Sequence, residues 1–129
     1  MATDEFLVYS GAFYSIEWAL SPTKECQARE YYYSLGEADR ARALALFKRM
    51  GDIGKIYDTT KFTRETKKLY VFKPQPHRFF SFFIKGKRII IVSAYQKQTQ
   101  KAPQREIERA EVLMKTWLAQ EASNEWKQG

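Results

Sequence analysis

The 129-residue sequence contains one cysteine and one histidine, Cys26 and His77. A single cysteine excludes an internal disulfide, and one cysteine with one histidine cannot assemble the usual Cys/His metal sites. We therefore expect no bound metal and no other cofactor, and we interpret Cys26 as a buried thiol without a chemical role.

The sequence also lacks a leader segment, a long apolar run and the common enzyme signatures. Residues 1–9 carry Asp4 and Glu5 but no basic flank followed by an apolar stretch, so neither a signal peptide nor a transmembrane helix is predicted. We therefore expect an intracellular, cytoplasmic protein without a membrane partner. Without a phosphate-binding glycine loop, a histidine pair or a Gly-x-Ser-x-Gly motif, hydrolysis by a metal or a serine triad is disfavoured.

Acidic residues are scarce between residues 61 and 105. That window holds twelve Lys and Arg and a single acid, Glu65, so it carries +11 in a chain whose net charge is +7. Aromatic and aliphatic residues interleave with the basic ones from Tyr70 to Tyr95, which indicates a folded face and not a tail. Such a face indicates a polyanionic partner. Nucleic acid is the first candidate because its closely spaced phosphates can bind several cationic side chains at once. An anionic membrane is the second candidate, and it is disfavoured because the sequence contains no basic amphipathic helix.

The length and the apolar content are those of one folded domain spanning residues 1–129. A hydrophobic fraction of 44% and an aromatic fraction of 16% indicate a packed core. Large apolar residues alternate from Ala12 to Leu20, which predicts a strand that can pair with residues 6–9 across Gly11. We therefore assign residues 1–20 to an N-terminal strand region and expect residues 122–129 to be a frayed tail.

Two helices are predicted after this strand region. The first is capped by Ser21-Pro22 and continues to Ser34, and the second runs from about Glu37 to Met50, where Gly51 is placed to end it. Joined by a short turn, the two helices form an antiparallel hairpin. Residues 51–68 show no readable pattern.

Three strands and a last helix complete the predicted fold. The strands are 69–73, 78–84 and 88–95, and the tight turn between the last two predicts an antiparallel sheet. The run from Ile89 to Val92 is apolar on both faces, which predicts a central strand covered on both sides. The last helix extends from Pro103 to about Gln120. The predicted class is α+β, with an N-terminal helical hairpin, a curved antiparallel sheet and a C-terminal helix.

Polar residues at the ends of the predicted strands form the candidate site. Metal-free RNA cleavage needs a base for the 2′-hydroxyl, cations for the charged phosphorane and an acid for the departing oxygen. A lysine crowded by cations can approach usefulness as a base near neutral pH, whereas arginine stays charged and clamps phosphate. Neighbouring strands can bring the following residues together: Lys73, His77, Arg78, Tyr95, Lys97 and Lys101.

Each of these residues also has a purely structural interpretation. Lys73 and Arg78 could merely bound the loop that contains Pro74 and Pro76. Tyr95 could belong to the core, and His77 could simply close a turn. The residues alone leave both interpretations open.

The stretch RIIIVSAYQKQTQKAPQREIERA, which begins at Arg88, resembles the HigB-like, phage-derived host-inhibition branch of the RelE superfamily of bacterial toxins. In that branch an apolar strand runs into a Lys-x-Thr-x-Lys motif, followed by Pro and a Glu-Ile-x-x-Ala helix. The upstream segments LYVFK, RFF and FFIKGKRI match in order and spacing, and the resemblance covers about residues 35–118. The matching motif positions are Lys97, Thr99, Lys101, Pro103, Glu106, Ile107 and Ala110.

The resemblance implies the same α+β architecture and a type II toxin that enters the ribosomal decoding site and cuts messenger RNA. A helix-turn-helix antitoxin is the implied partner. The implied catalytic residues are Lys73, Arg78, Tyr95 and Lys97. The residues expected to bind RNA are Lys67, Lys68, His77, Lys85, Lys87, Arg88, Lys101 and Arg105.

Two other functions fit the same scaffold. One is a non-catalytic module that binds RNA or the ribosome, which the charge pattern supports equally well. The other is a toxin relative that binds gyrase, as a sister branch of the superfamily does. The presence of Lys73, Arg78 and Tyr95 argues against the gyrase-binding alternative.

Overall fold

A computed structural model describes residues 5–128 of the chain, with side chains described up to Asn124. Six strands form one sheet in the order β1-β2-β6-β5-β4-β3. Helices α1 and α2 pack on one face of the sheet and α3 packs on the other. The elements in chain order are β1 Leu7–Ser10, β2 Ser15–Trp18, α1 Gln27–Ser34, α2 Glu37–Ile53, β3 Phe62–Arg64, β4 Tyr70–Phe72, β5 His77–Ile84, β6 Arg88–Gln96 and α3 Gln104–Gln128.

This architecture corrects the predicted one in two respects. Strands β1 and β2 precede the helices, so the helical hairpin is not N-terminal. Strand β2 pairs in parallel with β6, with Ser15 opposite Arg88, so the sheet is mixed and not antiparallel. The physical reason is that a parallel pair needs a long crossover, here built from α1, α2 and β3–β5, and no local pattern reveals such a partner. The predicted pairing of the two N-terminal strand segments with each other is confirmed.

Strand β6 separates two hydrophobic cores. Ile89 and Ile91 pack beneath α1 and α2, whereas Ile90 and Val92 pack beneath α3. The predicted central strand, covered on both faces, is therefore confirmed. Burying one such side chain contributes about 1.5–3 kcal/mol, so this strand fixes both helical layers to the sheet.

Helix α1 begins at Gln27 and not at Pro22. The segment before the helix is a turn in which the Lys24 N–H donates to the Ser21 carbonyl and the Ser21 N–H donates to the Glu25 carbonyl. Lys24 also has a φ of 64°, a left-handed conformation that an α-helix cannot contain. The Ser-Pro signal thus starts a turn, and the predicted start of the helix is wrong.

Helix α2 continues through Gly51, which was predicted to end it. The helix ends at Gly54, which has a φ of 83° and donates its N–H to the Met50 carbonyl. Gly51 instead allows a close approach, because its carbonyl accepts hydrogen bonds from the N–H groups of Phe13 and Tyr14 in the β1–β2 turn. The glycine at this position serves packing and not helix termination.

The remaining elements lie close to their predicted positions. The three predicted strands correspond to β4, β5 and β6, and a short strand, β3, occupies part of the segment that had no readable pattern. Helix α3 runs to Gln128, beyond the predicted end at Gln120 and through most of the tail that was expected to fray. None of the helices in the described part of the chain combines the length and apolarity that crossing a membrane requires.

Candidate functional site

Four polar side chains converge at one end of the sheet, where Arg78 and Tyr95 lie on the face that α3 covers. Lys73 follows β4, Arg78 lies near the start of β5, and Tyr95 and Lys97 lie at the end of β6 and just beyond it. Arg78 and Tyr95 are direct cross-strand partners. The Lys97 N–H donates to the Pro76 carbonyl at 2.8 Å, which ties the end of β6 to the loop before β5. The structure thus brings the four residues predicted to be catalytic into one group, which we call the cationic cluster.

A β-bulge in β6 determines which way Tyr95 points. Even-numbered residues up to Val92 face α3, but the register of β6 against β5 shifts between Phe80 and Ser81. Beyond this shift the alternation reverses, so that Ala94 joins the core beneath α1 and α2 while Tyr95 packs with the α3 core. Because one extra residue turns every later side chain to the other face, the bulge places Tyr95 beside Arg78.

Arg78 is the most deeply placed cation of the cluster, with 6% of its surface exposed. Its guanidinium donates to the Gln75 side-chain oxygen at 3.3 Å and to the His77 carbonyl at 3.1 Å. Burial lowers the pKa of Arg78, yet a guanidinium stays charged at neutral pH. Both acceptors are neutral, and no carboxylate of the described residues forms an ion pair with Arg78. Its charge is therefore free to pair with a phosphate.

Lys73 has surroundings that favour its neutral form. Partial burial lowers the pKa of the Lys73 ammonium, and the nearby charges of Arg78 and Lys97 lower it further, while Glu65 acts in the opposite direction. Its Nζ donates to the Thr59 carbonyl at 3.2 Å. These surroundings make the Lys73 proton easier to remove, which is the direction that a general base requires.

Tyr95 is placed as a proton donor. Its ring stacks on Phe80 with the centroids 5.9 Å apart. Burial raises the pKa of the Tyr95 hydroxyl, Arg78 opposes this shift, and the carboxylates of Glu65 and Glu106 add to it. The hydroxyl therefore keeps its proton throughout the neutral range.

Two acidic residues near the cluster were not predicted as part of the site. Glu65 influences the pKa values of both Lys73 and Tyr95. Glu106, in the first turn of α3, accepts a hydrogen bond from Arg109 at 2.7 Å. Glu65 could have been predicted as part of the site, because it is the single acid between residues 61 and 105. The position of Glu106 depends on how α3 packs on the sheet, which the sequence does not reveal.

The residues predicted to bind RNA are divided between the two ends of the sheet. Lys101 and Arg105 are exposed in the loop before α3 and in its first turn, on the chain segment that leaves the cationic cluster. The opposite end carries four exposed lysines in the β3–β4 and β5–β6 turns, which we call the distal lysines: Lys67, Lys68, Lys85 and Lys87. At about 3.3 Å per residue, the eight residues of β5 separate the cluster from Lys85 and Lys87 by about 26 Å, whereas the three-residue β4 separates it from Lys67 and Lys68 by only about 10–16 Å.

Two further predicted RNA-binding residues are held in internal contacts. The Arg88 guanidinium pairs with both carboxylate oxygens of Glu17, at 2.8 and 2.7 Å, and Glu17 is 4% exposed. His77 is 5% exposed and faces the helical hairpin, where its ring is hydrogen-bonded to the side chains of Tyr31 and Asp39. The structure therefore does not bring Arg88 or His77 into the cationic cluster. In the part of the chain that the structure describes, no group of three or more His, Cys, Asp or Glu residues is arranged to hold a metal ion.

The sequence matches the protein family described as Phage derived protein Gp49-like (DUF891) over residues 30–115. The matched range is two thirds of the chain, runs from within α1 to within α3, and contains all four residues of the cationic cluster. No curated protein matches the sequence.

Proposed function

This chain belongs to the family of Gp49-like phage-derived proteins, which are toxin–antitoxin-related, RelE/HigB-like proteins, and on that premise we propose that it is a ribosome-dependent messenger RNA endonuclease. It acts in the cytoplasm as the toxin of a type II system, and a helix-turn-helix antitoxin neutralises it. The observation that carries the proposal is the convergence, at one end of the sheet, of a buried arginine without a carboxylate partner among the described residues, a lysine of lowered pKa and a half-buried tyrosine.

The proposed chemistry uses only side chains of the cationic cluster. Lys73 takes the proton of a ribose 2′-hydroxyl, and the resulting oxygen attacks the adjacent phosphorus. Arg78 and Lys97 stabilise the negative charge that builds on the phosphorane oxygens. Tyr95 gives its proton to the departing 5′-oxygen as the P–O5′ bond breaks. The products are a 2′,3′-cyclic phosphate and a 5′-hydroxyl end.

The decisive experiment is induced expression in a bacterial host with genome-wide mapping of new messenger RNA 5′ ends. Wild type is compared with Lys73→Ala/Arg78→Ala and with Lys48→Ala/Arg49→Ala, which removes the same two charges from exposed positions on α2. We expect growth arrest and new ends in codon register for wild type and for the α2 variant, and neither for the cluster variant. Cleavage that persists in both single variants, Lys73→Ala and Arg78→Ala, would remove these residues from the site.

The same experiment separates the other two functions from this one. Growth arrest without new RNA ends, together with salt-sensitive ribosome binding, would indicate a non-catalytic binding module. Growth arrest with inhibited DNA supercoiling and intact messenger RNA would indicate a gyrase-binding toxin.

A further inference from the structure

A groove beside the cationic cluster takes no part in the chemistry proposed above. It lies between α2, the turn before β3 and the segment after β4, and it encloses about 280 Å³. Lys73 lines the groove and also belongs to the cluster, so the groove borders the cluster. The side chains that define the groove are the apolar Ala45, Leu46 and Pro74 and the cationic Arg42, Lys61 and Lys73.

The cations at the groove are available to an anionic ligand. Neither Lys61 nor Lys73 forms an ion pair among the described residues, and Arg42 shares Asp39 with His77. Asp58, the other acid in this region, is occupied by the N–H and the hydroxyl of Thr60. Of the residues that the structure describes, three cationic side chains and no carboxylate line the groove, so its lining is positively charged, although the rest of its wall is mainly apolar.

Gln75 connects the groove to the buried arginine. Its side-chain nitrogen donates to the Thr60 carbonyl at 3.4 Å, at the groove wall, and its side-chain oxygen accepts from Arg78 at 3.3 Å. A ligand in the groove therefore lies one side chain away from the guanidinium that we assign to the phosphate. The Gln75 amide thus contacts both the wall of the groove and the guanidinium that we assign to the phosphate.

An apolar wall with cations around it fits a nucleotide better than a peptide. A nucleobase presents a flat, weakly polar ring to apolar side chains, and its phosphates pair with lysine and arginine. An apolar peptide segment would leave Lys61 and Lys73 without partners, and an acidic one would not use the apolar wall.

Building on the proposed endonuclease function, we propose that this groove binds the base and ribose of the nucleotide next to the scissile phosphate. Arg78 then holds the phosphate while Ala45, Leu46 and Pro74 hold the base. The groove thereby determines which nucleotide flanks the cut.

The test fills the groove without touching the cationic cluster. Ala45 is exposed on α2, so Ala45→Phe adds a ring to the groove on a helix that tolerates it, and Ala41→Phe adds the same ring to an exposed position that does not line the groove. Binding is followed by nuclear magnetic resonance on the full chain with adenosine and cytidine 5′-monophosphates, ribose 5-phosphate and inorganic phosphate as probes.

We expect the nucleotides to shift the Ala45 and Leu46 methyl signals, and the two base-free phosphates to leave these signals in place. Ala45→Phe should weaken nucleotide binding about tenfold or more, and Ala41→Phe should not change it. On ribosomes, Ala45→Phe should raise KM and lose the preference for the flanking nucleotide while kcat stays near that of wild type.

Three results would overturn the inference, each in a different way. Equal shifts by nucleotides and ribose 5-phosphate would exclude recognition of the base, and no shift with any of the four probes would exclude a nucleotide site in the groove. Cleavage by Ala45→Phe with an unchanged flanking preference would exclude the groove and leave the endonuclease intact. Nucleotide binding without any RNA cleavage would instead remove the endonuclease on which the role next to the cut depends.

Discussion

Residues of the same charge have different surroundings in the cationic cluster, and the proposed roles rest on that difference. Arg78 is buried against neutral acceptors, where a guanidinium cannot give up its proton but can pair with phosphate. Lys73 is less buried and lies beside two other cations, so its pKa falls towards the range in which it can act as a base. Tyr95 is shifted in the opposite sense and keeps its proton.

A pH dependence of cleavage follows from the lowered pKa of Lys73. The neutral amine is the active form, and lysine loses its proton as the pH rises, so the single-turnover rate should rise with pH and level off above the lowered pKa. The measurement is cleavage of ribosome-bound messenger RNA between about pH 6 and about pH 9. Lys73→Arg keeps the charge but cannot deprotonate, so this variant should be slow and lack the rising limb. A rising limb that survives in Lys73→Arg would assign the base to another residue.

His77 has a structural role that the sequence could not distinguish from a catalytic one. A carboxylate can only accept, so the Nε2–H of His77 donates to Asp39 at 2.8 Å and the ring Nδ1 lies 2.6 Å from the Tyr31 hydroxyl. Its backbone N–H donates to the Pro74 carbonyl and its own carbonyl accepts from Arg78. The histidine therefore links both helices of the hairpin to the loop that carries Arg78.

Acid should weaken this link through Asp39. The hydrogen bond from His77, and next the charge of Arg42, hold the pKa of the Asp39 carboxyl below its ordinary value of about 3.9. The stability that the carboxylate contributes is thus present above that value and is lost as the pH falls through the folded pKa. In urea unfolding, Asp39→Asn should be less stable than wild type at about pH 7, and the difference should shrink as the pH falls below about 3.9. Glu37→Gln, an exposed change in the same helical turn, serves as the control, and an Asp39→Asn deficit that persists in acid would contradict the assignment.

At the scale of elements, sequence patterns predicted what depends on neighbouring residues and missed what depends on distant ones. The apolar run in β6 predicted its central place because each face of a strand records its own surroundings. No sequence pattern predicts the parallel pairing of β2 with β6, since the paired residues are more than seventy positions apart along the chain. The sequence pattern does not predict the bulge that turns Tyr95 towards Arg78 either. Regular alternation along β6 would place Tyr95 on the other face of the sheet. The predicted catalytic residues nevertheless converged, whereas Glu65 and Glu106 were found only in three dimensions.

The docking of the β1–β2 turn on α2 depends on Gly11. A methyl group at this position would overlap the backbone of Gly51 and Asp52, which cannot move without disturbing the helix. We expect Gly11→Ala to lower the free energy of unfolding by about 1–3 kcal/mol. Gly36→Ala is the matched control, since a methyl group there meets no neighbouring atom. Urea unfolding of the two variants measures the difference, and equal stability would show that the turn does not pack closely on α2.

At the scale of the whole molecule, the exposed lysines that were predicted to bind RNA lie at both ends of the sheet. Lys85 and Lys87 lie about 26 Å from the cationic cluster, at the far end of β5, and Lys67 and Lys68 lie about 10–16 Å from it, beyond the start of β4. A chemical site needs only the cationic cluster, so the distal lysines are available for contacts along an extended polyanion such as ribosomal RNA. Sequence proximity had merged the two, because Lys67 and Lys73 are neighbours in the chain but belong to opposite ends of β4.

Replacing all four distal lysines by alanine should therefore separate binding from chemistry. Each lost phosphate contact reduces the dependence of log affinity on log salt by about 0.7–0.9, so the variant should bind ribosomes more weakly and with a slope lower by about three. The cleavage rate at saturating ribosomes should stay near that of wild type, because none of these lysines belongs to the cationic cluster. The control removes four exposed charges elsewhere on the molecule: Lys48, Arg49, Lys55 and Lys115. A slope that falls equally in both variants would mean that net charge alone drives association, and a loss of the saturated rate in the distal variant would place those lysines near the chemistry.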